Sequence, residues 1–152
     1  CSGLGAVLDM VTDRSTTSGM MCYLCMAYPE YAVIFQILLA IDISSHYMHM
    51  YASLTDGATS HKQVSAESSK LLHLYYTNRK VLFIVCFFNE SFYAGLYMMT
   101  FANHFTFGKW TTIVSIPFYL FKQFANLLQL QRAALMLADI DAKAANAKKE
   151  KK

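Results

Sequence analysis

Between Tyr31 and Leu54 the chain reads YAVIFQILLAIDISSHYMHMYASL, and in its first half, Val33–Ile43, apolar residues occupy every side of a helix instead of one stripe. Each helical residue rises about 1.5 Å, so about 20 mostly apolar residues cross a hydrocarbon core about 30 Å thick. The stretch meets that length. A second run, Val81–Phe88, is apolar in the same all-round way. A soluble helical bundle would show one apolar face per helix, so these two runs point to lipid as the solvent.

Working outward, Pro29 ends an earlier stretch, Leu4–Ala27, which is polar at its start (Asp9, Asp13, Arg14) and apolar after Gly19. A polar segment, Thr55–Asn78, separates the second stretch from a third, Lys80–Ala102, and a fourth runs from Trp110 to Ala138. The fold expected is all-α: a polytopic transmembrane bundle with spans at 4–27, 31–54, 80–102 and 110–138. Residues 139–152 follow as a basic tail with five lysines between Lys143 and Lys152. Arg14, the Lys62–Lys80 loop and the tail fall on one side of four spans, and the positive-inside rule makes that side the cytosol.

The composition agrees. The chain has 152 residues, 55% of them hydrophobic and only 15% charged, where a soluble domain carries about a quarter. The net charge of +3 is modest. The basic tail is too short, and too far from aromatic side chains, to suggest nucleic acid as a partner. Cys22 and Cys25 have redox spacing but lie in a helical, apolar context, so they and Cys86 are expected to be packing residues.

The chemistry is concentrated in GAVLDMVTDR, residues 5–14. Gly5, Asp9 and Asp13 are spaced i, i+4, i+8 and share one helix face. Carboxylates one turn apart repel, and burying them unpaired near lipid is costly. Two arrangements fit. A divalent cation with a taste for carboxylate oxygens would relieve the repulsion, or the turn is solvated and Arg14 pairs with Asp9 or Asp13. Gly5 would allow a helix or a substrate close to the backbone.

Gly-x3-Asp-x3-Asp is also the second half of the CDP-alcohol phosphatidyltransferase signature, Asp-x2-Asp-Gly-x2-Ala-Arg-x8-Gly-x3-Asp-x3-Asp. The segments GAVLDMVTDR, IDISSHYMH, SHK, LYYTNRKVLF and NESFY, in that order, resemble the eukaryotic, inositol-using members of that family over nearly the whole chain. The resemblance implies a six-helix membrane enzyme of the endoplasmic reticulum, often a homodimer, of which this chain would hold the last four helices. It implies transfer of a phosphatidyl group from CDP-diacylglycerol to myo-inositol, with Mg2+ or Mn2+ as cofactor. Asp9 and Asp13 would be metal ligands, Asp13 also the catalytic base, and Ser2 would lie beside the nucleotide. The first two aspartates of the signature fall outside this chain, which is therefore expected to hold half a metal site and to be inactive alone.

Other polar residues invite a role. Asp42, His46 and His49 share a face of the second span and are expected to form an interhelical hydrogen-bond cluster. Asn89 and Glu90 lie mid-span and should face the bundle interior as structural links. Lys62, Arg79, Lys80 and Arg132 are read by default as solvated or headgroup-facing cations on the cytosolic side; Lys62, Arg79 and Arg132, with Arg14, are also candidate contacts for phosphate or inositol.

Overall fold

The computed structural model describes residues 3–55 and 78–150. These form four long helices: α1 (Gly3–Ala27), α2 (Ala32–Thr55), α3 (Arg79–Met99) and α4 (Phe105–Glu150). Short 3-10 turns join α1 to α2 (Pro29–Tyr31) and α3 to α4 (Ala102–His104). Among the described residues there is no strand. The fold is an all-α membrane bundle.

Local sequence explains the helix ends. Pro29 follows α1 and sits at the first position of its turn, where a missing N–H costs nothing. Asn78 caps α3, its Oδ1 accepting from the backbone N–H of Lys80 at 3.0 Å and of Val81 at 3.4 Å. α4 starts at Phe105, five residues before the Trp110 expected, and no break follows Ala138. The Ala- and Lys-rich composition of residues 138–150 favours helix, and Lys143 braces it by pairing with Asp139 at 2.6 Å. The tail is therefore helical to Glu150.

Two helical segments, Pro29–Thr55 and Arg79–Met99, are long and apolar enough to cross a membrane, with mean hydropathies of 1.3 and 1.5. Only 17% and 22% of those windows are buried within the bundle. The core helix of a soluble protein would be mostly covered, whereas Val33, Ile34, Ile37, Phe83 and Phe87 point outward. That outward apolar surface is what lipid contact requires.

Helices α2 and α3 each border both α1 and α4, and α3–α4 is the most extensive contact. Gly95 and Gly108 make it possible. A methyl group on Gly95 would come within 2.4 Å of Thr112 Oγ1 and 2.9 Å of the Gly108 carbonyl oxygen. Such small-residue crossings let backbones approach where no hydrophobic drive separates helix from lipid. Toward the bundle centre Phe92 stacks on Tyr119 at 3.9 Å, and Met21, Leu24, Phe35 and Tyr93 complete the core. Thr112 and Ser115 return their hydroxyls to the carbonyls one turn back, at 2.9 and 2.7 Å. Cys22, Cys25 and Cys86 are free thiols.

Candidate active site

Asp9, Thr12, Asp13, Thr16 and Met20 follow one another along one face of α1, as helical spacing dictates. With Glu90, Tyr93 and Ala94 of α3 they line a groove of about 460 Å³. Asp9 and Asp13 are both exposed to it, and the Asp13 side chain keeps 57% of its surface accessible. A groove thus opens beside Asp9, where an apolar plug would have argued against ligand binding.

Behind the groove lies a buried polar link across three helices. Arg14 pairs through Nη2 with Asp13 of its own helix and through Nη1 with Asp42 of α2. Asp42 also accepts a hydrogen bond from Asn126 Nδ2 of α4, at 3.1 Å. His46 Nδ1 donates to the Asp42 carbonyl oxygen at 2.7 Å, which assigns that nitrogen its proton, and Ser45 Oγ donates to the same oxygen at 3.0 Å. The Arg14 and Asp42 side chains are only 14% and 9% exposed. The guanidinium is held between two carboxylates through its two terminal nitrogens, with Nε left buried and unpaired, and it braces Asp13 from behind.

A second link runs beside it. Glu90 accepts from Thr17 Oγ1 at 3.2 and 3.3 Å and from Asn89 Nδ2 at 3.0 Å, while Gln123 Nε2 donates to Asn89 Oδ1 at 3.3 Å. Together the two links tie α1 to each of the other helices.

The sequence-derived site residues are distributed as follows. Asp9 and Asp13 line the groove, with Arg14 behind it paired to Asp13; Gly5 lies one turn before Asp9 on α1. Arg79 begins α3 and is exposed; Arg132 is half-buried on α4. Ser2 and Lys62 lie outside the described residues. Asp42 is an interhelical hub, while His46 bonds within its own helix. Asn89 acts as an interior link, but Glu90 does more, since it also lines the groove. Asn126 and Thr17, both buried, were not singled out from sequence. Their signal is faint: Lys122, Gln123 and Asn126 sit at i, i+1 and i+4 inside an otherwise apolar run, a polar face that mid-span burial would demand.

The aspartate pair fits one side of a hard-cation shell, being two oxygen-bearing groups on one face and open to a groove. Among the described residues no three His, Cys, Asp or Glu side chains gather closely enough to enclose an ion. Hard cations take six or more oxygens, so the remaining donors would come from water, substrate phosphates or other parts of the enzyme.

An outward-apolar helical bundle with two helices long enough to cross a membrane defines a membrane protein, here with paired carboxylates at a groove. Comparison with known proteins gives that class a particular member. The chain is 67% identical over 147 residues to the CDP-diacylglycerol–inositol 3-phosphatidyltransferase of Saccharomyces cerevisiae, covering 97% of this chain and 67% of that protein. It is 41% identical to the protein of the same name in Schizosaccharomyces pombe, covering 98% and 72%, and 36% identical to that of Homo sapiens, covering 91% and 67%. The chain belongs to the family of CDP-diacylglycerol–inositol 3-phosphatidyltransferases, the phosphatidylinositol synthases. It spans 60% of the length of the Candida albicans relative, to which it is 54% identical. No family model matches the chain, and no solved structure does.

Proposed function

We propose that this chain is the part of a phosphatidylinositol synthase that carries the base and one half of the metal site, transferring a phosphatidyl group from CDP-diacylglycerol to myo-inositol. The observation that carries the proposal is the pair Asp9 and Asp13, one turn apart on the wall of a groove in a membrane bundle.

The reaction needs an alcohol oxygen to attack a phosphorus surrounded by negative oxygens. Asp13 is exposed and anchored by Arg14, so its carboxylate can accept the proton of an inositol hydroxyl as that oxygen bonds to the phosphorus. The bond from phosphorus to the cytidine monophosphate oxygen breaks, giving phosphatidylinositol and CMP. A bound magnesium or manganese ion, held by Asp9 and Asp13, would neutralise the diphosphate and stabilise the departing CMP. Arg14 is committed to Asp13 and Asp42, which makes it an orienting group for the base. Ser2 would lie beside the nucleotide, Gly5 would let the substrate approach the backbone closely, and Arg79, Arg132 and Lys62 would meet phosphate or inositol. Residence in the endoplasmic reticulum follows from the family's role in lipid synthesis.

The test uses the full-length enzyme in CDP-diacylglycerol vesicles with labelled inositol. Asp13→Asn should lose about 10²–10⁴-fold in turnover and still bind CDP-diacylglycerol, because no added ion replaces a missing base. Asp9→Asn should regain part of its rate when magnesium or manganese is raised. Near-normal turnover of Asp13→Asn would refute the assignment.

A further inference from the structure

Glu90 lies in the middle of α3, a helix apolar enough to cross a membrane, where a carboxylate is expensive and rarely kept without use. Its hydrogen bonds come from Thr17 and Asn89, both neutral donors. A glutamine in its place could accept the same two bonds through its amide oxygen. Holding the helices together therefore does not require the negative charge.

A carboxylate offers about four acceptor positions and no donor when ionised. Asn89 supplies one proton and Thr17 another, which it shares with the Asp13 carbonyl oxygen at 3.1 Å, so at least two positions remain, and Glu90 lines the groove that Asp9 and Asp13 line. The ligand suited to that wall is neutral and rich in hydroxyls. Adjacent hydroxyls of a polyol can each donate to one carboxylate, whereas a phosphate is repelled and an acyl chain leaves the charge unsolvated. Glu90 does not gather with Asp9 and Asp13 into a cation-enclosing group. It is also well positioned: Thr17 ties it to α1, and Asn89, itself held by Gln123, ties it to α4.

We infer that Glu90 binds neighbouring hydroxyls of the polyol acceptor in the groove and so helps to determine acceptor specificity, an inference that rests on the function proposed above.

The test compares full-length Glu90→Gln with the unmodified enzyme, and uses Glu30→Gln, an exposed residue of the turn before α2, as the control expected to change nothing. Glu90→Gln should raise the KM for inositol about ten- to hundredfold, the range of a hydrogen bond to a charged group, with the KM for CDP-diacylglycerol within about twofold. Mono-deoxy inositols separate recognition from structure. The unmodified enzyme should lose at least about tenfold in kcat/KM on one or more of them, and in Glu90→Gln that penalty should shrink to about twofold. If Glu90→Gln fails to fold, Glu90→Asp keeps the charge one methylene short and should still change the deoxy-inositol profile. An unchanged inositol KM, or the same deoxy penalties in the variant, overturns the role of Glu90 alone. Absence of phosphatidylinositol synthesis by the unmodified enzyme overturns the function and this role with it.

Discussion

Replacing Asp42 by alanine would remove the hub that Arg14 and Asn126 share. Both partners are almost fully inside the bundle, with side-chain exposures of 14% for Arg14 and 9% for Asp42, so water screens the pair little. Breaking a buried ion pair from one side costs about 3–5 kcal/mol, mostly because the surviving charge is left unpaired. Arg14 keeps Asp13, which favours the low end, and the lost Asn126 bond adds about 1 kcal/mol. A destabilisation of about 3–4 kcal/mol is expected for Asp42→Ala. Asp42→Asn should cost less, because its amide oxygen can still accept from Asn126. The decisive variant is the double mutant with Arg14→Ala. With no orphaned guanidinium it should fall short of the sum of the singles by about 2 kcal/mol or more. The measurement is unfolding of the full-length protein in mixed micelles by detergent titration, followed by helical circular dichroism. Singles that add to within about 0.5 kcal/mol would show that Arg14 and Asp42 do not act as a pair.

Gly95→Ala should destabilise the bundle by about 1–3 kcal/mol, since its methyl would meet backbone as well as a hydroxyl, whereas Gly19→Ala, with open space around it, should be neutral or mildly stabilising. The same unfolding assay ranks them, and equal stabilities would sink the close-packing account. The tail ends Lys148-Lys149-Glu150-Lys151-Lys152, which is similar to a dilysine retrieval signal with Glu150 at an unfavourable place. Trimming those lysines from a fluorescent full-length fusion should move it out of the endoplasmic reticulum; unchanged localisation would dispose of the signal.

What sequence could show depended on whether the information was local. The helices were legible because Pro29 and the all-round apolar runs act within a few residues. The shared face of Asp9 and Asp13 follows from helical spacing alone. Arg14 was legible only in part: its bond to Asp13 is a neighbour effect, but Asp42 lies on another helix. Asn126 meets Asp42 across 84 residues, and Thr17 meets Glu90 across 73, so nothing near either position announces the partner. Glu90 was placed in the interior correctly, yet its exposure to the groove depends on how α1 and α3 lean together, which no spacing rule contains. The start of α4 was missed because Phe105–Lys109 carries a glycine and mixed polarity, and tertiary contact at Gly108 supplies the order that propensity does not.

The length of α4 has a consequence for charge. Its 46 residues, with Pro117 in the interior, rise about 69 Å along the helix, more than twice a hydrocarbon core, so Lys148 and Lys149 are carried at the far end of a helix. A flexible tail of the same composition could curl back and neutralise the acidic groove, competing with a cation or a substrate for Asp9 and Asp13. Helical continuity through Lys143, Lys148 and Lys149 holds these lysines in line with α4 and leaves Asp9 and Asp13 open to a ligand.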